Sequence, residues 1–258
     1  MINNQGIDNE INQFIKKRLE NIREGQTPVN MKSGGKFILH IIPQSTFNDE
    51  LKISIGEHED KLKNFVPFMT QSGSCNHEPN LEGYLGYITK KNANKYIQIF
   101  RNGAIELCFS LNNYHQGIEL NIATDETESR TEKYIPTNIL EGEVVKKLQG
   151  YIQNLNDMNI DFPFFIYMSF VNVNGFKLGI DSVLGMRQHC NEALNMDVVE
   201  LPRVIGKQEV FGKAVRKSDA LSHESSRIAK IVKPAFDVLY NAFGLPHSNI
   251  TKEGNLLK

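Results

Sequence analysis

The chain has 258 residues, 40% of them apolar and 23% charged, with a formal net charge of −1. That suffices to bury a sizeable core in one module or two small ones, and the balanced charge gives no general pull toward nucleic acid, membrane or acidic substrate. No apolar run nears the roughly 20 residues of a membrane helix. The opening Met1-Ile-Asn-Asn-Gln-Gly-Ile-Asp8 lacks the order of a secretory signal. Cys75, Cys108 and Cys190 are too few and too scattered for a disulfide framework. A cytoplasmic, reducing setting is the expectation.

Ile7, Ile11, Phe14, Ile15, Leu19 and Ile22 fall on one stripe at helical spacing, which predicts a helix from Ile7 to Glu24 closed by Gly25 and Pro28. Lys16, Lys17, Arg18 and Arg23 lie late in it, where the helix dipole favours cations, and read as a solvated basic face or a phosphate contact. Lys36 to Pro43 is continuously apolar and rich in isoleucine, so it reads as a buried central strand ended by proline. His40 within it reads as a core histidine with a hydrogen-bond partner. Ser45 to Asp60 is polar and turn-rich, with a short strand candidate at Leu51 to Ile55.

Residues 70 to 80 read as a loop by composition and Leu81 to Thr89 as a strand. Tyr96 to Phe100 and Ala104 to Phe109 flank Arg101-Asn-Gly103; Asn-Gly between alternating runs predicts a hairpin, since both residues tolerate positive φ. Residues 112 to 133 are polar, rather acidic, and read as loop or edge. A helical pattern returns from Ile139 to Leu155. Phe162 to Val173 reads as a second apolar strand that turns at Asn174-Gly175 into Phe176 to Ile180, a second hairpin. Its phenylalanines, Phe162, Phe164, Phe165 and Phe170, read as core rather than as base-stacking aromatics. Val198 to Leu201 is a short strand candidate. The last helix covers Ser222 to Phe243, with a kink predicted at Pro234, a stop at Gly244 and Pro246, and a frayed tail. The fold class is therefore α+β: a mostly antiparallel sheet with hairpins, packed against N-terminal, central and C-terminal helices. A single module over 1–258 is expected, with a weak boundary near 133.

No coherent catalytic constellation emerges. Cys75-x-His77 and His189-Cys190 lack the spacing of a structural zinc site and would serve one only by meeting in space. Cys75 with His77 or His115, and Ser222 with His223 and Glu224, are nucleophile–base pairings by proximity alone, which is not triad geometry. Phosphate-cradling glycine motifs are missing, and Gly34-Gly35-Lys36 precedes a strand rather than opening a helix. Glu82, Glu106 and Glu119 are able to face one another across a sheet, as a nuclease requires, or to lie on a solvated face. No catalytic residue, metal ligand or cofactor is accordingly expected. Charge says more. From Leu201 to Lys258 the ten basic residues exceed the five acidic ones by five. Arg203, Lys207, Lys213, Arg216 and Lys217 are the candidates for phosphate contact, against ordinary surface solubility.

Several segments occur in an order that resembles a known bacterial region. They are the opening helix with Thr27-Pro28, His40-Ile-Ile-Pro43 with Ser45 and Phe47, and Asn80-Leu-Glu-Gly83. Gln98-Ile-Phe-Arg-Asn-Gly-Ala-Ile-Glu106 and Pro234-Ala-Phe-Asp-Val-Leu-Tyr-Asn-Ala-Phe-Gly244 follow. The chain resembles the accessory region that follows the AlbA-type, ATP-binding Schlafen-like domain. The resemblance implies a freestanding accessory half, to which the ATP-binding role does not carry over and for which no catalytic residue is transferred. It implies a non-catalytic binding or scaffolding module of a nucleic-acid-directed or anti-phage system. Such a module would work with a protein partner that supplies the catalytic or nucleotide-binding domain, with DNA or RNA as a further ligand and no membrane. The competing expectation is an enzyme, a metal-dependent nuclease or another nucleic-acid-processing enzyme.

Overall fold

The computed structural model describes residues 4–47, 53–70, 72–111, 133–181, 187–211 and 220–250. Its centre is strand β1, Lys36–Pro43, with all eight residues buried. Residues apolar on both sides of a strand demand cover on both sheet faces, and β1 has it. It lies between β5 (Ile105–Ser110) and β7 (Phe164–Val171), antiparallel to both. From β5 the sheet continues outward through β4 (Lys95–Phe100), β3 (Gly83–Tyr87) and β2 (Asn76–Pro79). On the other side β10 (Val198–Glu200) and β11 (Val204–Gly206) both pair with β7. A separate three-stranded sheet joins β6 (Tyr134–Pro136), β8 (Lys177–Asp181) and β9 (Arg187–Ala193).

Helices cover the large sheet. On one face α1 (Asn4–Arg23) lays Ile11, Ile15, Leu19 and Ile22 against Ile38, Ile42, Tyr96 and Cys108. On the other, Phe37, Leu39, Ile41 and Leu107 pack with α3 (Thr137–Asp157) and α5 (Ala220–Asn241). Each fully buried aliphatic or aromatic side chain contributes about 1.5–3 kcal/mol, so both layers stabilise the sheet. This second cluster draws on residues from both sides of position 133. Short helices α2 (Ile55–Leu62) and α4 (Gln208–Phe211) bury Leu62 and Phe211.

The α+β class and the mostly antiparallel sheet hold, but several local expectations change. Residues 76–79 form β2 rather than loop, because β3 needs a partner on its outer edge and the edge position tolerates polar Asn-His-Glu. The strand candidate at Leu51 to Ile55 gives way where it is described: Ile55 opens α2. The first hairpin forms, yet of Asn102 and Gly103 only Gly103 takes a positive φ, at 83°. The Phe100 N–H donates to the Ala104 carbonyl and the Gly103 N–H to that of Phe100. This is a longer turn closed by one left-handed glycine. The second hairpin does not form. Both edges of β7 are already taken by β1 and by β10 with β11, so the turn at Asn174-Gly175 leads into the other sheet. Pro234 lies inside α5, which continues past it to Asn241. The segment after it is not frayed as far as residue 250, since Ser248 and Ile250 are buried. The polar stretch 112–132 and residues 251–258 lie outside the described residues. Among the described residues no helix is long and apolar enough to cross a membrane.

Candidate functional site

Strand alternation aims one set of side chains at α1. Register pairs His40 with Glu106 across β1–β5 and Gln98 with Glu106 across β5–β4, so all three share a face, joined by Tyr96 two residues from Gln98. Helix α1 brings Arg18 down onto them. Arg18 is seven residues after Ile11 and four before Ile22, which puts it on the buried stripe and not on the solvated basic face. Only 6% of it is exposed.

The cluster is closed. Glu106, fully buried, accepts two parallel bonds from Arg18, Nε to Oε2 at 2.7 Å and Nη2 to Oε1 at 2.8 Å. Its Oε1 also accepts from the Tyr96 hydroxyl at 2.7 Å, and His40 Nε2 lies 3.1 Å from Oε2. Arg18 spends its third nitrogen on Glu82, at 3.3 Å, and sits 5.1 Å over the Phe100 ring. Burial pushes the Glu106 carboxyl up, but the Arg18 and His40 hydrogen bonds and charges outweigh it and hold the group down at about 2. The Arg18 guanidinium pays a desolvation penalty and still ends raised, through its bonds and charge pairing with Glu106. With Glu106 spent on four polar contacts and sealed from water, the arrangement is suited to fastening α1 to the sheet rather than to meeting a substrate. Two of the three candidate nuclease carboxylates, Glu82 and Glu106, thus converge on an arginine; Glu119 lies outside the described residues.

The cysteine–histidine candidates fare similarly. The Cys75 thiol donates to the Asn76 carbonyl, and burial pushes it up to about 11, against an activated nucleophile. His77 Nε2 lies 3.0 Å from the Phe65 carbonyl, and its ring stacks on Tyr84. The side chains of His189, Cys190, Ser222, His223 and Glu224, and all of His115, lie outside the described residues. Among the described residues no group of three metal-ligating side chains assembles. Beside Cys75, Lys95 and Lys147 strap the preceding loop by donating to the carbonyls of Met69 and Thr70, while Glu143 accepts the Met69 N–H. Met69 is held there at φ 51°.

Of the five basic candidates, Lys213, Arg216 and Lys217 lie outside the described residues. Lys207 is exposed. Arg203 is the informative one. Its guanidinium lies 5.0 Å over the Phe165 ring and its Nη1 donates to Asp8 of α1 at 2.5 Å. Tyr167, on the same face of β7 as Phe165, also bonds it and is half-buried. Of the four phenylalanines read as core, Phe164 and Phe170 are buried, while Phe162 and Phe165 are partly buried and pack against the two core clusters, leaving part of the Phe165 ring at the surface. No family model, no curated protein and no solved structure matches the chain.

Sequence reasoning missed Arg18, Glu106 and Tyr96 as a unit. The signal was present in the helical spacing of Arg18 and in a lone carboxylate, Glu106, inside an otherwise apolar strand. Phe165 and Tyr167 were also legible, at alternate positions of a strand whose other face is apolar.

Proposed function

We propose that the chain is a non-catalytic binding module that engages nucleic acid at the β7–β11 surface and works with a protein partner carrying the catalytic domain. One observation carries this reading: the partly exposed Arg203 guanidinium stacked on Phe165 beside Tyr167. Aromatic rings and arginine together offer what unstacked bases and phosphates bind, a flat π surface and a bidentate cation. Exposed Lys207 lies on the same chain segment, and the basic excess after Leu201 supplies further charge. The resemblance to the Schlafen-associated accessory region is the reason for the partner and for a nucleic-acid-directed or anti-phage setting. The sealed state of the Arg18–Glu106 cluster supports a role without bond-making chemistry.

The test is fluorescence anisotropy with short labelled single-stranded DNA and RNA at low and moderate salt. Binding is expected to weaken steeply with salt, because phosphate contacts release counterions. It should weaken at least tenfold in Arg203→Glu/Lys207→Glu, with Arg216→Glu/Lys217→Glu adding to the loss. No binding at low salt, or binding indifferent to all four changes, defeats the nucleic-acid part. Co-purification of the tagged chain from its native cell tests the partner part, and recovery as a solitary monomer counts against it.

A further inference from the structure

Glu141 lies on the buried face of α3 and is 0% exposed. Neither of its carboxyl oxygens has a partner in good hydrogen-bond geometry, and the Tyr240 hydroxyl and the Asn249 N–H, which lie near it, offset its burial only in part. An unsatisfied buried acceptor is costly, and a charged one far more so. The groups facing it come from two elements. From α5 come Lys233, Asp237 and Tyr240; from the segment after α5 comes the Asn249 backbone N–H. Lys233 offers no free counter-charge, because it is committed to Asp237 at 2.7 and 3.0 Å. The Tyr240 hydroxyl donates to Thr137 Oγ1 at 3.0 Å, and Thr137 donates in turn to the Gly179 carbonyl of β8 at 2.9 Å. With its proton directed at Thr137, Tyr240 gives Glu141 only weak support, too little to outweigh burial. A neutral acid suits that position and an anion does not. Burial accordingly pushes the Glu141 carboxyl up to about 8.

A strap closes over this acid. Asp237 accepts from the Ser248 N–H at 2.7 Å and from its hydroxyl at 2.8 Å. The Asn249 amide donates to Asn138 on α3, and Ile250 is 1% exposed in the core. Asn241 ties down the Leu245 and Pro246 carbonyls. Residues 245–250 thus bridge α3 and α5 through a handful of polar contacts and one apolar anchor, whereas α3 and α5 themselves are held by the main core.

We propose that Glu141 makes this strap a proton-operated latch: the neutral acid lets residues 245–250 close across α3 and α5, and its ionisation drives them off so that water reaches the carboxylate. Opening uncovers the seat of Ile250 in the core and frees Asp237 and Asn138 from Ser248 and Asn249. The sign follows from linkage. Closure holds the proton more tightly than an open, hydrated Glu141 does, so closure is strongest below the ordinary value of 4.5. It weakens as pH rises through the interval up to about 8 and changes no further above it.

The test is hydrogen exchange by mass spectrometry on the whole chain from pH 5 to 9. Peptides over 245–250 are read after correction for the intrinsic exchange rate, with peptides from β1 and β5 as controls. The opening constant of the strap should rise up to about tenfold per pH unit between pH 5 and 8 and level off above, while the controls stay flat. Glu141→Gln should make the strap's opening independent of pH. Asp237→Asn should open the strap more at every pH and keep the slope. A flat wild-type profile overturns the proposal, as does a wild-type slope retained in Glu141→Gln. If the glutamine variant does not fold, the wild-type slope against the controls decides alone.

Discussion

Replacing Arg18 by methionine should unfasten α1 at a calculable cost. Methionine keeps the length and apolar stem of the side chain but removes both bonds to Glu106, at 2.7 and 2.8 Å, and the cation over Phe100. The Glu106 carboxylate then remains fully buried with only Tyr96 and His40 beside it. Breaking one side of a buried ion pair costs about 3–5 kcal/mol, since the stranded charge keeps its desolvation penalty. The depressed proton affinity of Glu106 points the same way: holding that carboxyl at about 2 instead of 4.5, against burial and with Arg18 and His40 together, corresponds to a few kcal/mol at about 1.36 kcal/mol per pH unit. Urea unfolding at pH 7 measures the loss as a lower midpoint with an unchanged slope. Adding Glu106→Leu to Arg18→Met should restore at least half of the lost stability, because no unpaired charge is left inside. An Arg18→Met variant within 1 kcal/mol of wild type, or a double variant whose losses simply add, would refute the fastening role.

Acid should act on the same cluster. Glu106 contributes stability that is complete above pH 4.5 and disappears as pH falls toward 2; the difference in unfolding free energy between wild type and Glu106→Gln, followed over that range, should shrink accordingly. Gly83→Ala should destabilise by about 3 kcal/mol or more in thermal or urea unfolding, since Gly83 sits at φ 155° and a β-carbon there would meet the Ile99 carbonyl oxygen at 2.0 Å. Asp8→Asn should strengthen nucleic-acid binding severalfold and steepen its salt dependence in the anisotropy assay, because it frees the Arg203 guanidinium from its 2.5 Å partner. Iodoacetamide should label Cys75 about tenfold more slowly than a thiol of ordinary acidity at pH 8, as its thiol is raised from 9.0 to about 11 and the smaller thiolate fraction outweighs the greater nucleophilicity of that thiolate.

The parts of the fold that speak through periodicity were readable. The run Lys36–Pro43 is apolar apart from Lys36 and His40, and it became the strand with every residue buried. The stripe of α1 and the Asn-Gly turn carried their own signals. What could not be read depends on neighbours distant in sequence. Asn76–Pro79 is polar because it is an edge, and only β3 makes it a strand. Phe176 to Ile180 has the look of a hairpin partner, and only the occupied edges of β7 send it elsewhere. Arg18 looks like one of several late-helix cations until the sheet supplies Glu106 beneath it. Arg203 was legible as a cation, but the ring it stacks on belongs to a strand some forty residues earlier.

Photo-crosslinking bears most directly on the binding account: the purified chain is irradiated with single-stranded oligonucleotides carrying 4-thiouridine or 4-thiothymidine, and the modified peptides are mapped. Crosslinks on the peptide that holds Phe165 and Tyr167, abolished by Arg203→Glu, are the predicted result. An oligonucleotide that crosslinks only elsewhere, or not at all at low salt, would contradict it.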